Sequence, residues 1–245
     1  MKAQVSTAVL VLAGAAALAP SAHGAATTAA AAKGAPLIDQ LVVFRSGAVV
    51  GKRVRAERTT ATVGRRSCGI AAATALAALL RSKPGAIGFH DYGDCSRRPA
   101  NSTSLFVKSI RGERNRAQDG WVYKVGRKLA TAGAADPAGP FGDGRLRPGD
   151  DVVWFYCRQL STGSCQRSLE LTTEFVDGRV AVTVRGYDDS GDGIDVAGAT
   201  VHAGGRTATT DASGRATLTL KRGRHDVYAS KKGAIRSFGK RVTIK

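Results

Sequence analysis

Asp151-Val152-Val153-Trp154-Phe155-Tyr156-Cys157 is apolar on both of its alternating faces. Successive side chains of a strand point to opposite sides of a sheet. A strand with Val152, Trp154 and Tyr156 on one side and Val153, Phe155 and Cys157 on the other therefore belongs in the middle of a sheet covered on both faces. Working outward, Gly120-Trp121-Val122-Tyr123-Lys124-Val125 is a second strand that puts Trp121, Tyr123 and Val125 on one face. Residues 37–44 and 105–110 add further apolar strand candidates, and residues 49–63 alternate basic and β-favouring residues as exposed hairpin strands do. The period changes over 70–81, where Ile70, Ala73, Leu76, Ala77 and Leu80 fall on one helical face before Lys83-Pro84-Gly85 stops the run. Strands, one helix, then more strands predict an α+β domain over residues 37–178, with the helix on a mixed sheet.

Near Gly178 the composition shifts. Residues 179–245 hold neither Cys nor Trp and read as short Val/Thr/Ala-rich runs between Gly turns. Strands are expected at 180–184, 200–203, 206–210, 216–220, 225–230 and 237–244. That spacing predicts an all-β sandwich as a second domain.

The other end of the chain carries an export pattern. Met1-Lys2 precedes an almost wholly apolar run over 5–18, and Ala22-His23-Gly24 places small residues at −3 and −1 before Ala25. Residues 1–24 are read as a signal peptide and residues 25–36, rich in Ala and Thr, as a flexible leader. The apolar run is too short for a comfortable span of about 20 residues, so no transmembrane segment is expected. Arg241 to Lys245 carries no hydrophobic tail or sorting signal, which leaves release or charge-mediated retention at the envelope. The expected location is extracellular, or loosely envelope-associated.

Four cysteines, Cys68, Cys95, Cys157 and Cys165, suit that route as two disulfides. Three pairings are possible. Cys68–Cys95 with Cys157–Cys165 is preferred, because a Gly/Ser-containing turn between the second pair folds two strands together. A zinc site is not expected: there is no C-x2-C spacing, and His90, His202 and His225 are scattered. No other metal or cofactor is expected.

Across 245 residues, 37 Lys and Arg oppose 19 Asp and Glu, for a net charge of +18. A surface so positive favours anionic partners. The basic residues are spread along both domains without a helix-turn-helix, zinc-finger or RNP signature, so nucleic acid is not the expected partner. The denser cluster, Arg45 to Arg66 with Lys52, Arg53, Arg55 and Arg58, reads as a solvated strand face, suited if functional to teichoic-acid-like polymers, anionic glycans or anionic lipid headgroups.

Within 41–178, Thr74-Ala-Leu-Ala-Ala-Leu79, Asp119-Gly-Trp-Val-Tyr-Lys-Val125, Leu146-Arg-Pro-Gly-Asp150 and Val152-Val-Trp-Phe-Tyr156 occur in an order that resembles the carboxy-terminal domain of transcobalamin and intrinsic factor. The resemblance implies a β-grasp-like ligand-binding module. The family usually follows the Val with Asn-Gly, where this chain has Val125-Gly126-Arg127, and the helical domain that completes the cobalamin site in the vertebrate carriers is missing. Residues 179–245 resemble prealbumin-like sandwiches of the carboxypeptidase-regulatory or adhesin B-repeat type, carried by Val196-Ala-Gly-Ala-Thr-Val201, Thr210-Asp211-Ala-Ser-Gly214 and Leu220-Lys-Arg-Gly223. Such modules imply spacers or stalks without catalysis.

Trp121, Tyr123, Trp154 and Tyr156 are the candidate ligand-binding residues, on which a sugar ring or flat molecule would stack, although rings at strand period also build cores. Asp188-x-Ser190-x-Asp192-Gly193 matches half of a calcium loop, but its twelfth position is Ala199, and a solvated acidic turn is the preferred reading. Ser237-Phe-Gly-Lys240 fits the S-x-x-K spacing without its companion motifs. His90 and Asp91 near Cys95 can be drawn as a nucleophile pair, but an exported Cys is expected to be oxidised. The expected function is non-catalytic binding of an anionic surface polymer or glycan, with small-molecule carriage as the alternative.

Overall fold

The computed structural model describes residues 34–245 apart from Asp94 and Asp177; the signal-peptide reading, and all but three residues of the leader, lie outside them. The first module contains β1 (Leu37–Val43), β2 (Val49–Arg55), β3 (Thr59–Val63), β4 (Arg66–Ile70), α1 (Ala75–Ser82), β5 (Ile87–Asp91), β6 (Leu105–Ile110), β7 (Glu113–Arg114), β8 (Gly120–Val125), β9 (Lys128–Leu129) and β10 (Asp151–Cys157). The second contains β11 (Ser168–Val176), β12 (Arg179–Tyr187), β13 (Gly193–Asp195), β14 (Thr200–Ala203), β15 (Arg206–Thr209), β16 (Arg215–Leu218), β17 (Gly223–Ser230) and β18 (Lys240–Ile244).

The α+β, β-grasp-like assignment of the first module is corrected here. Strand accounts for 48% of the structure and helix for 6%, with α1 the sole α-helix among the described residues. The helix is shorter than its apolar period predicts because Ile70 is committed to β4, opposite Thr59, and Ala73 has a left-handed φ of 59°. The Thr74 hydroxyl then caps α1 by accepting from the Ala77 N–H at 3.2 Å, and Lys83 ends it at φ 53°. Two further small sheets, β3-β4 and β5-β6-β7, complete the module; β3 and β6 fall on residues read as strand, whereas β4 ends on Ile70, read as helix, and β5 and β7 fall on residues not read as strand.

β10 occupies the interior position its composition demands. The sheet order is β2-β1-β10-β8-β9, with β1 and β10 parallel and the other pairs antiparallel. Val152, Trp154 and Tyr156 face the main core with Ile38, Val42, Leu76 and Leu79. Val153, Phe155 and Cys157 face a second layer with Leu41 and Val43, covered by Ile235 and Phe238 from the segment between β17 and β18. The second module thus supplies the cover for the outer face of the first module's sheet. Each large side chain buried this way contributes on the order of 1.5–3 kcal/mol.

β11 pairs with β12 along its full length, and Leu169 and Leu171 enter the sandwich core with Val182, Val201 and Val227. The strand Ser168–Val176, placed ahead of the 178/179 boundary by the sequence reading, belongs to the second module's sheet. The sandwich faces are β11-β12-β13, with β16 also on β12, and β15-β14-β17-β18. Cys68–Cys95 and Cys157–Cys165 form as preferred, with Cα separations of 5.1 and 5.2 Å. No described helix is long and apolar enough to cross a membrane.

Gln40 is out of keeping with its surroundings. It lies on β1 between Ile38 and Val42, is 1% exposed, and neither side-chain amide atom has a hydrogen-bond partner. A buried amide without partners costs its desolvation free energy. Gln40→Met, of similar length, is expected to raise unfolding stability by about 1–2 kcal/mol in urea titrations; an unchanged or lowered midpoint would show that the amide contributes something else.

Candidate functional site

The four predicted aromatic residues are all buried: Trp121, Tyr123, Trp154 and Tyr156 are between 2% and 6% exposed. Cross-strand pairing of β8 with β10 sets Tyr123 opposite Trp154 and Trp121 opposite Tyr156, giving a stacked pair with ring centroids 5.0 Å apart and an edge-on pair at 5.9 Å. Their polar tips turn to backbone: Trp121 Nε1 donates to Glu113 O (2.8 Å), Tyr123 Oη to Ala132 O (3.0 Å) and Tyr156 Oη to Arg114 O (3.0 Å). Burial, then the charge of Asp136, raises the Tyr123 pKa well above its ordinary value. Trp154 differs, since its indole N–H has no partner among the described residues. Trp121, Tyr123 and Trp154 border an apolar groove of about 300 Å³ beside Leu105, Phe106 and the 129–134 loop. Tyr156 alone of the four lines a different cleft.

That second cleft, about 460 Å³, opens where the two modules meet. The end of β1 and its turn supply Phe44 and Arg45, the end of β10 supplies Tyr156 and Arg158, and the covering segment supplies Lys231, Lys232 and Arg236, with His202 and Tyr228 from the sandwich. Ile235, pinned in the layer below and bonded to Leu169 N and Arg167 O through its backbone at 2.8 and 2.9 Å, fixes the segment that carries these cations. Arg45 lies over the Tyr156 ring at 5.0 Å and Arg236 over Tyr228 at 3.8 Å. Such contacts hold a guanidinium in place without neutralising it. No carboxylate lines the cleft, and none of the five cations forms an ion pair among the described residues.

His202 stacks on Tyr228 at 4.5 Å, and its Nε2 lies 2.9 Å from Ser230 Oγ. Burial, reinforced by the Arg236 charge, lowers its pKa below the ordinary imidazole value. Burial also lowers the Arg236 pKa, and Tyr228 partly offsets this. The cleft is therefore built at an electrostatic cost that an anion would relieve.

The other sequence candidates are engaged elsewhere. Asp188 Oδ1 accepts from Ser190 N, Ser190 Oγ and Asp192 N at 2.7–3.1 Å, making a closed acidic turn, while its Oδ2 faces Arg167 at 3.3 Å. Ser237 Oγ donates to Phe238 O (2.8 Å) and accepts from Ala229 N (2.9 Å). Cys95 is held in its disulfide. Of the Arg45–Arg66 cluster, Arg45 enters the cleft, whereas Lys52, Arg53, Arg55 and Arg58 are exposed outside it. Arg158, Lys231, Lys232, Arg236 and His202 carry no sequence spacing that groups them.

Comparison with family models and with curated proteins gives no match for this chain. Among solved structures, native alpha-2-macroglobulin from Escherichia coli, spanning domains NIE-MG1, matches with a TM-score of 0.25 at 13% identity, over 58% of this chain and 66% of that one. A likeness of that size carries no functional argument, and the site is read from its own chemistry.

Proposed function

We propose that the protein is an extracellular, non-catalytic binding protein that holds an anionic polymer or glycan of the cell envelope in the cleft between its modules. The observation that carries this reading is five cations converging on one cleft, none of whose charged groups forms an ion pair among the described residues. Two disulfides and the net charge of +18 favour an oxidising, extracellular setting and an anionic surface.

Co-sedimentation of purified protein with cell envelopes tests the reading. Binding at 0.1 M salt is expected to be lost at 1 M, as the screening length falls from about 10 Å to about 3 Å. Lys231→Glu with Lys232→Glu is expected to abolish retention at low salt. Retention that survives either treatment would sink the proposal.

The site also has a pH signature. An anion in the cleft favours protonated His202, whose pKa is lowered in the free protein, so binding takes up a proton. Affinity is expected to rise as pH falls through the acid side of His202's ordinary range near 6.5, and to be flat above neutrality. His202→Gln should remove that rise; a pH profile unchanged by the substitution would remove His202 from the site.

Small-molecule capture is the second reading. It is favoured by the unpaired Trp154 N–H beside the apolar groove. A ligand there would bind independently of salt.

A further inference from the structure

We propose that the basic cleft takes a densely phosphorylated anion, with charged phosphates in close succession, in preference to a carboxylated sugar chain. This rests on the anion-binding reading above and names the chemistry of its ligand. The first ground is hydrogen-bond polarity. Arg45, Arg158, Arg236, Lys231 and Lys232 bring N–H donors and no acceptors. Side-chain acceptors are few. No carboxylate of the described residues lines the cleft, and Gln166 Oε1 already accepts the Arg158 backbone N–H at 2.9 Å. Ser46 Oγ accepts from Ala48 N at 3.3 Å and the Tyr156 hydroxyl donates to Arg114 O, which leaves hydroxyl oxygens, those of Tyr228 and Ser230 among them, as the remaining neutral side-chain acceptors against five cationic donors. Sugar hydroxyls are donors that need such acceptors when desolvated, whereas ionised phosphate oxygens only accept.

Charge density is the second ground. Five cations surround about 460 Å³. A chain with at most one carboxylate on each bulky sugar leaves several of them without a counter-charge, whereas linked phosphates place a charge on every phosphorus with no sugar ring between. Lys231 spends one N–H on Ala197 O (2.6 Å) and Arg236 one on Ser237 O (3.4 Å), leaving further donors on each. The Arg45 and Arg236 guanidiniums, held on the Tyr156 and Tyr228 rings, keep the planar forks that match two phosphate oxygens.

The test is equilibrium binding at fixed ionic strength, pH and total ligand charge. The probes are sodium tripolyphosphate, poly(glycerol phosphate) and polygalacturonate. Either phosphate probe is expected to bind at least about tenfold more tightly than polygalacturonate, and to lose at least about tenfold in Lys231→Glu/Lys232→Glu. Both lysines are exposed, so the fold is preserved. Lys52→Glu/Arg58→Glu, an equal charge change outside the cleft, should alter Kd by less than about twofold. Tight tripolyphosphate binding would identify a condensed phosphate as the source, and selective poly(glycerol phosphate) binding an envelope phosphodiester. Equal affinity for polygalacturonate overturns the phosphate inference and leaves the anion-binding reading standing. Binding of none of the probes, or equal losses in both double variants, overturns both.

Discussion

Lys124→Met is expected to cost about 3 kcal/mol of unfolding stability, the largest single-residue effect foreseen outside the disulfides. Lys124 lies on β8 with its side chain 0% exposed. Its ammonium reaches into the second module, donating to Tyr187 O (3.0 Å), Asp188 O (2.8 Å) and Ser168 Oγ (3.4 Å), with Asp189 Oδ1 at 3.5 Å. Burial lowers its pKa, and Asp189, then Asp188, pull it back up. Methionine fills most of the volume but leaves two carbonyls without their ammonium donor and the Asp189 carboxylate without its counter-charge. Removing one partner of a buried pair costs about 3–5 kcal/mol; the lower figure applies because the Asp189 side chain is 21% exposed. Guanidinium titration of the intact chain measures this. A loss under about 1 kcal/mol would show that the ammonium's desolvation cancels its bonds, as buried ion pairs sometimes do.

The second large effect is loss of Cys68–Cys95. The bond spans 27 residues and ties β4 to the segment after β5, with Cys68 wholly buried in the main core. Loop-closure entropy predicts that Cys68→Ala/Cys95→Ala loses about 3.5 kcal/mol. For Cys157–Cys165, spanning 8 residues, the same reasoning gives about 2.5 kcal/mol. Unfolding midpoints of the two double variants, compared with the oxidised parent, check both values and their order. Should the shorter loop prove the more important, its place in the layer between the modules, with Phe155 and Ile235, would outweigh entropy.

What the sequence reveals follows the range of the interactions involved. β10 is legible because its two apolar faces record two covering layers, although nothing in residues 151–157 tells what the outer cover is. Ile70 misleads: it is in phase with Leu76 and Leu80 on a helical wheel, yet pairing with Thr59 and the neighbouring disulfide draw it into β4. Taking it as helix makes the domain look α+β. β11 does carry a signal, with Leu169 and Leu171 buried at strand period, and its partner β12 follows immediately. The cleft carries none. Its cations come from the ends of β1 and β10 and from a segment more than 70 residues later, assembled by topology alone. The same polar-and-apolar alternation that suggested an aromatic binding face describes Trp121 and Tyr123 in a packed core.

The stretch from Lys231 to Phe238 serves as roof and as wall at once. Ile235 and Phe238 press down on the first module's sheet while Lys231, Lys232 and Arg236 stand over the cleft. Were an anion held there, capture and cohesion would be one equilibrium. A ligand in the cleft would bridge both halves of the molecule and act as a clasp, resisting a thermal or mechanical pull that would part them. A molecule tethered to a surface through that clasp would hold its own halves together more firmly than one with the cleft empty.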